Sequence, residues 1–233
     1  MRTVAVVPAA GSGNRMSRER SKQYLSLGRM PILVHTLKVF DECPHVDALL
    51  VVVPPQDIEV VRNTILAPWK LKKVTGVISG GKERQDSVLA GIEAMDSKAD
   101  IVIIHDAVRP FITIELISKC IRAAGEEGAV TVGVPVKDTV KEVAPDGRVI
   151  RTCDRSLMWL TQTPQAFRRD IIESAHRAAV RDGFRGTDDA SLVERLGIAV
   201  RMIRGDYDNI KITTPEDLLV AEALLSASQQ AKG

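Results

Sequence analysis

Five short runs of apolar, mostly β-branched residues punctuate the chain, at 4–7, 49–53, 74–78, 101–104 and 130–134. Each is nearly continuous in apolar side chains, as in strands covered on both faces. Between them the apolar spacing lengthens to that of helices. Pro31 stands where a helix begins, with Ile32, Leu33, Leu37 and Phe40 on one side. Asp86 or Ser87 is placed to cap a helix carrying Val88, Leu89, Ile92 and Met95, and Thr113 to cap one carrying Ile114, Ile117 and Ile121. This alternation predicts an α/β fold with a doubly wound, mostly parallel, Rossmann-like sheet.

The rhythm changes after Pro135. "VKDTVKEVAPDGRVIRTCDRSLMW" alternates polar and apolar positions, turns at Pro145-Asp146-Gly147 and alternates again. That is a β-hairpin over about 136–160, projecting from the sheet as an arm. An arm has little core of its own, so a second subunit is expected to receive it. Helical patterns resume at 169–181 and 190–196, and a strand follows at 198–203. Thr214-Pro215-Glu216-Asp217 opens the last helix with a cap, a first-turn proline and two acids at the positive end of the dipole. No repeat or low-complexity linker divides the chain, so one domain over 1–233 is expected.

Composition narrows the functional classes. Apolar residues make up 45% of the 233 and charged residues 27%, consistent with a packed core. A net charge of +2 argues against a general nucleic-acid coat. No apolar run approaches membrane-spanning length, and the N-terminus lacks the layout of a signal peptide. Cys43, Cys120 and Cys153 are far apart and form no CxxC pair, which predicts free thiols in a reducing cytoplasm.

Against that near-neutral background one segment stands out. In "VVPAAGSGNRMSRERSKQYL" (6–25) a strand gives way to Ala9, Ala10, Gly11 and Gly13, then to Arg15, Arg18, Arg20 and Lys22 with Glu19 the single acid among them. Small residues let a ligand approach the backbone, and successive N–H groups cradle phosphate oxygens. A plain strand-to-helix turn explains the glycines equally well; the cations tilt the reading toward a polyphosphate. Met16 stands where the dinucleotide fingerprint needs its third glycine, and the second strand runs into Pro54-Pro55 without a ribose-binding acid, so a nicotinamide site is disfavoured. Gly76, Gly81 and Lys82 match GxxxxGK, but Glu83 replaces the Ser or Thr of a P-loop.

Further candidates sit beyond other strands. "SGGKERQDSV" carries Gly80, Gly81 and Ser87 into a helix, as a base or ribose site or as a capped helix entry. Asp106 follows a buried strand directly, where a carboxylate can hold Mg²⁺ or cap a turn; Arg109 is three residues on. The four histidines are expected to be structural or solvent-facing. Asp188 and Asp189 are read as first-turn acids after a Thr187 cap. Arg155 and Lys211 are candidate anion ligands, with the surface-charge reading open for each.

Taken in order, "PAAGSGNRM", "KQYL", "SGGKERQDSV", "HDAVRPF", "DR…W…TPQAF", "GTDDAS" and "DNIKITTPEDL" resemble the 2-C-methyl-D-erythritol 4-phosphate cytidylyltransferase family over nearly the whole chain. Ribitol-5-phosphate cytidylyltransferases are the neighbouring alternative, and a non-catalytic nucleotide-binding module the alternative of another class. The resemblance implies a nucleotide-diphospho-sugar transferase type of sheet and Mg²⁺-dependent transfer of a cytidylyl group from CTP to a polyol phosphate. It implies transition-state stabilisation by Arg15 and Lys22. Nucleotide contacts fall on Pro8, Ala9, Ala10, Gly11, Gly80, Gly81, Ser87 and Ala107. Sugar-phosphate contacts fall on Asp106, Arg109, Thr139, Arg155, Thr163, Thr187 and Lys211. It further implies a homodimer exchanging its arms, so that Thr139 and Arg155 serve the neighbouring active site.

Overall fold

A computed structural model describes residues 1–11 and 22–230. The segment with Arg15, Arg18 and Arg20 therefore lies outside the described residues. The strands are β1 (Thr3–Pro8), β2 (Ser26–Leu27), β3 (Met30–Pro31), β4 (Ala48–Val53), β5 (Val74–Ser79), β6 (Ile101–Ile104), β7 (Ala129–Pro135), β8 (Lys141–Val143), β9 (Val149–Thr152), β10 (Trp159–Arg168) and β11 (Arg201–Arg204). The helices are α1 (Ile32–Glu42), the short turn α2 (Ile58–Val60), α3 (Arg84–Glu93), α4 (Ile114–Glu127), α5 (Arg169–Arg181), α6 (Asp189–Arg195) and α7 (Pro215–Gln230).

Seven strands form one sheet in the order β11-β7-β10-β6-β1-β4-β5. β1 runs parallel to β4 and β6, β4 to β5, and β7 to β11. The apolar runs are continuous because both faces are covered. Ala5, Val7, Leu49, Val51, Ile101 and Ile103 face Leu33, Leu37 and Phe40 of α1 and Ile117 and Ile121 of α4. Val4, Val6, Leu50, Val52 and Ile104 face Val88 and Ile92 of α3, Ile172 of α5 and Leu192 of α6. Gly91 lets α3 approach the sheet: a Cβ there would collide with Val6. Ile212 and Ala221 form a third cluster with Leu27, Ile32 and Val108, seating α7 beside the sheet.

β10 departs from the expected pattern. It lies antiparallel between β6 and β7, in the interior of the sheet, with a register shift between Gln162 and Gln165. Its middle, "QTPQ" (162–165), is rich in polar residues and yet buried, so apolar patterning gives it no weight. Two helix starts also differ from expectation. α3 begins at Arg84, where Glu83 and Asp86 form a reciprocal capping box, so neither Asp86 nor Ser87 is the cap. α6 is capped by Asp188, whose side chain accepts from the Ser191 N–H at 2.9 Å, rather than by Thr187. Thr113 caps α4 as expected. The final strand is shorter than the 198–203 run suggests and shifted to Arg201–Arg204.

The arm is present. β8 and β9 pair antiparallel around the Pro145-Asp146-Gly147 turn, where Gly147 takes a φ of +87°, a value only glycine adopts cheaply. Every residue of both strands is exposed, and Val143, Val149, Ile150, Leu157 and Leu160 present apolar side chains to solvent. No described helix is long and apolar enough to cross a membrane.

Candidate active site

The carboxyl ends of the parallel strands, where open α/β sheets bind ligands, surround a cavity of about 190 Å³. It is lined by Pro8, Ala9, Ala10 and Gly11 after β1, Lys22 and Gln23, Arg84 and Ser87 of α3, Asp106, Ala107 and Val108 after β6, and Lys211. Nine of these were candidates from sequence. Gln23, Arg84 and Val108 are additions.

The floor is rigid backbone. The Ala9 N–H donates to Val52 O at 2.7 Å, and Ala9 O accepts from the buried Gln23 amide at 2.6 Å. Ala10 and Gly11 have no such partner for their N–H groups among the described residues, which leaves two donors for an oxygen-rich ligand. The same bond ties the Lys22–Tyr24 turn to that floor. On the other wall, Gly80 N–H donates to Val53 O at 2.7 Å, and a Cβ on Gly80 would lie 2.7 Å from Ala10 Cβ and 2.8 Å from Ser87 Oγ. Ser87 Oγ accepts from Gly81 N–H at 3.2 Å and donates to Glu83 O at 3.1 Å. Gly80 and Gly81 thus shape the wall without lining the cavity themselves.

Asp106 is the single acid of the lining, and its carboxylate is encircled. Oδ1 accepts from Arg84 Nε at 3.2 Å; Oδ2 accepts from Lys211 Nζ at 3.0 Å and Arg109 Nε at 3.3 Å. Burial alone would push the carboxyl pKa up; the charges of Arg84, Lys211 and Arg109 outweigh it and hold the group well below the usual carboxylate range. Arg109 also donates to Asn209 O at 2.8 Å. Behind Asp106, its N–H donates to Thr163 Oγ1 at 3.0 Å, and Thr163 lies 3.2 Å from His105 Nδ1. His105 Nε2 is 3.1 Å from Arg109 O, an acceptor only, so the ring carries its proton on Nε2 and Nδ1 accepts from the Thr163 hydroxyl. Burial pushes the His105 pKa down to about 4, keeping it neutral. His105 is structural, as expected, and Thr163 spends its hydroxyl inside the protein.

The sequence candidates therefore fall into groups. Lys22, Ser87, Asp106, Ala107, Lys211 and the 8–11 backbone share the cavity, with Arg109 and Thr163 directly behind it. Thr187 is exposed on the loop before α6. Thr139 and Arg155 are exposed at the root of the arm, where Arg155 Nη1 donates to Lys137 O at 3.3 Å, and neither lines the cavity of its own chain.

A metal fits poorly on Asp106. Both of its oxygens already accept from cations, and no group of three His, Cys, Asp or Glu among the described residues is arranged to hold an ion. The proposed ligation of Mg²⁺ by Asp106 has no support in this geometry.

Three residues in the network carried no functional expectation. Arg84 bridges Asp106 and Asp189, with Nη1 2.7 Å from Asp189 Oδ2. Asp189, read as a first-turn acid, is 1% exposed, and His176 Nε2 meets its Oδ1 at 3.2 Å. The only signal in the sequence was an arginine and an acid inside short polar motifs, each at a helix start.

A family model described as 2-C-methyl-D-erythritol 4-phosphate cytidylyltransferase matches residues 3–227. The chain belongs to that family. A relative of that name from Syntrophus aciditrophicus is 51% identical over 228 residues, 98% of this chain and 97% of its own. One from Geotalea uraniireducens is 51% identical over 229 residues, covering 97% and 98%. The crystal structure of 4-diphosphocytidyl-2C-methyl-D-erythritol synthase from Anaerococcus prevotii superposes with a TM-score of 0.86 at 33% identity, over 97% of this chain and 96% of that one. These matches extend through the cavity, the polar strand β10 and the arm alike.

Proposed function

We propose that the cavity beyond β1 and β6 is where this chain joins CTP to 2-C-methyl-D-erythritol 4-phosphate, giving CDP-methylerythritol and pyrophosphate on the way to isoprenoid precursors. The observation that carries this assignment is the lining. Lys22, Arg84 and Lys211, with the Ala10 and Gly11 N–H groups that have no partner among the described residues, surround a single acid whose charge is already compensated. Such a lining receives polyanions.

An oxygen of the sugar 4-phosphate attacks the α-phosphorus of CTP, and the bond from that phosphorus to the bridging oxygen of the β-phosphate breaks. The nucleophile is ionised at neutral pH, so no general base is needed, and Asp106 is too firmly held by cations to act as one. Catalysis rests on holding two anions in line and stabilising the added charge on the five-coordinate phosphorus. Ala10 and Gly11 N–H groups and Lys22 take the triphosphate, with Arg15 assigned to the same task from outside the described residues. Pro8, Ala9, Gly80, Gly81, Ser87 and Ala107 shape the nucleoside side. Lys211 and Arg109, oriented by Asp106, take the sugar phosphate; Thr163 supports Asp106 from behind, and Thr187, on the exposed loop before α6, is assigned to the same substrate. A divalent metal, commonly used by such transferases, would enter with the triphosphate as part of the substrate.

The arm suits a homodimer. Its exposed Val149, Ile150, Leu157 and Leu160 need an apolar surface, and Arg155 and Thr139 stand away from their own cavity. In that arrangement Arg155 of the partner subunit and Thr139 of the partner subunit complete the sugar-phosphate side. The chain acts as one catalytic domain in the cytoplasm, a placement supported by its three free cysteines.

Pyrophosphate release from CTP and Mg²⁺ tests the reading, with methylerythritol phosphate and ribitol 5-phosphate supplied separately. Turnover on the first alone is expected. Preference for ribitol 5-phosphate, or CTP binding without turnover on either, would refute it.

A further inference from the structure

We infer that Arg84 is a positioning residue for the sugar-phosphate side of the site, acting through Asp106 and anchored from behind by Asp189 and His176. The inference rests on the assignment of Asp106, Arg109 and Lys211 to that side. Arg84 sits in the first turn of α3, the helix that also carries Ser87 on the nucleoside wall. Its side chain crosses the cavity wall and bonds two carboxylates from different elements: Asp106 after β6 through Nε, and Asp189 of α6 through Nη1. Only a planar fork with several donors can meet both at once.

The consequence is a carboxylate with one orientation. Arg84 occupies Asp106 Oδ1, so Oδ2 is left for Lys211 and Arg109. Without Arg84, Asp106 is able to swing and offer both oxygens to Arg109, its neighbour three residues on. Lys211 would then lose its anchor; its side chain is 39% exposed, and among the described residues Asp106 is the acid that holds it. Arg84 itself is kept from following Asp106 by the pull of Asp189.

That anchor is firm. Asp189 accepts from Arg84 on Oδ2 and from His176 Nε2–H on Oδ1, and its N–H donates to Gln165 Oε1 at 3.0 Å. Both Asp189 and His176 are buried, and among the described residues His176 Nδ1 has no hydrogen-bond partner. A buried imidazole with an unpartnered nitrogen is costly and is tolerated where its other nitrogen has a task. Two acids set against Arg84, Arg109 and Lys211 leave the cluster with one net positive charge, which suits an incoming phosphate.

The test compares Arg84→Lys and Asp189→Asn with wild type in the pyrophosphate-release assay, varying each substrate in turn. Lysine keeps the charge, so Asp189 is not left bare, but one ammonium cannot hold both carboxylates. The KM for methylerythritol phosphate should rise about tenfold in Arg84→Lys while the KM for CTP stays within about twofold, the split expected when one substrate's contacts are disordered. Asp189→Asn should show the same split at about threefold, since Arg84 survives there with a weaker anchor. A lowered melting temperature with both KM values unchanged in the variant that folds would show that Arg84 is merely structural and overturn the inference alone. Wild type that fails to couple the two substrates would instead overturn the functional assignment, and this inference with it.

Discussion

Replacing Asp106 with asparagine removes one negative charge from the middle of three cations while keeping the side chain's shape. The cost is smaller than three broken ion pairs. Arg84 keeps Asp189, and Lys211 can turn toward water because its side chain is already 39% exposed. Surface-screened contacts of the latter kind contribute little. Arg109 has no such escape: its side chain is 11% exposed, and its remaining partner is the Asn209 carbonyl. Stripping the partner from a buried charge costs about 3–5 kcal/mol, and the asparagine oxygen recovers part of that, so about 3 kcal/mol is expected. In a domain of this size each kcal/mol moves the melting temperature by about 2–4 °C, which puts the loss at about 6–12 °C. Thermal unfolding by circular dichroism measures it, with urea titration to check that the slope is unchanged. Inorganic phosphate should restore more of the variant's melting temperature than it adds to wild type, since an anion replaces the missing charge. The pH dependence follows from the sign of the shift. The folded Asp106 carboxyl is held below its unfolded value of about 3.9, so its contribution is fully present above that pH and is lost only as pH falls further. The variant's deficit should therefore be constant from pH 5 to 8, about the range where both states are ionised, and shrink only in strong acid. A melting-temperature loss below about 2 °C, or an equal phosphate effect in both proteins, would refute the view that Asp106 compensates this cluster.

Three other substitutions probe separate parts of the site. Lys22→Ala should lower kcat about 10²–10³-fold, the scale of losing one preorganised transition-state donor, and single-turnover measurements showing a change within about threefold would remove it from the chemistry. Gly80→Ala places a methyl 2.7 Å from Ala10 Cβ and 2.8 Å from Ser87 Oγ, so it should displace the nucleoside wall. The KM for CTP is expected to rise about tenfold with that for the sugar phosphate unchanged; equal effects on both would mean that Gly80 matters only for folding. Ile150→Asp puts a charge on an exposed apolar position of β9. Sedimentation should then show monomers, against the dimer proposed for the wild type, together with a raised sugar-phosphate KM; an unaltered oligomeric state would show that the arm docks elsewhere.

The parts of the molecule that the sequence disclosed are those in which burial and hydrophobicity coincide. β1, β4, β6 and β7 are apolar on both faces because helices cover both, and α1 and α4 show a single apolar side because one face meets the sheet. The arm was visible through alternation and its glycine turn. β10 was not visible as an interior strand, because its buried centre is held by polar bonds. Gln165 donates to Thr131 Oγ1 and Asp188 Oδ2 and accepts from the N–H groups of Asp189 and Ala190, while Asn209 donates to Gln162 and to Thr163 O. Hydropathy weighs such residues as surface. The Arg84–Asp189 pair was hidden for a second reason. Each is the first residue of its helix, where the dipole accounts for Asp189 without any partner and Arg84 reads as an ordinary surface cation, and the two are 105 positions apart. The two blind spots are one structure. Gln165 of β10 holds the α6 start, α6 presents Asp189, Asp189 holds Arg84, and Arg84 orients Asp106 toward Lys211 and Arg109. A site for two polyanions needs buried counter-charges to keep its cations apart and in place when empty. Those counter-charges need a polar scaffold behind them, and that scaffold runs through the core where a hydrophobic strand would otherwise be.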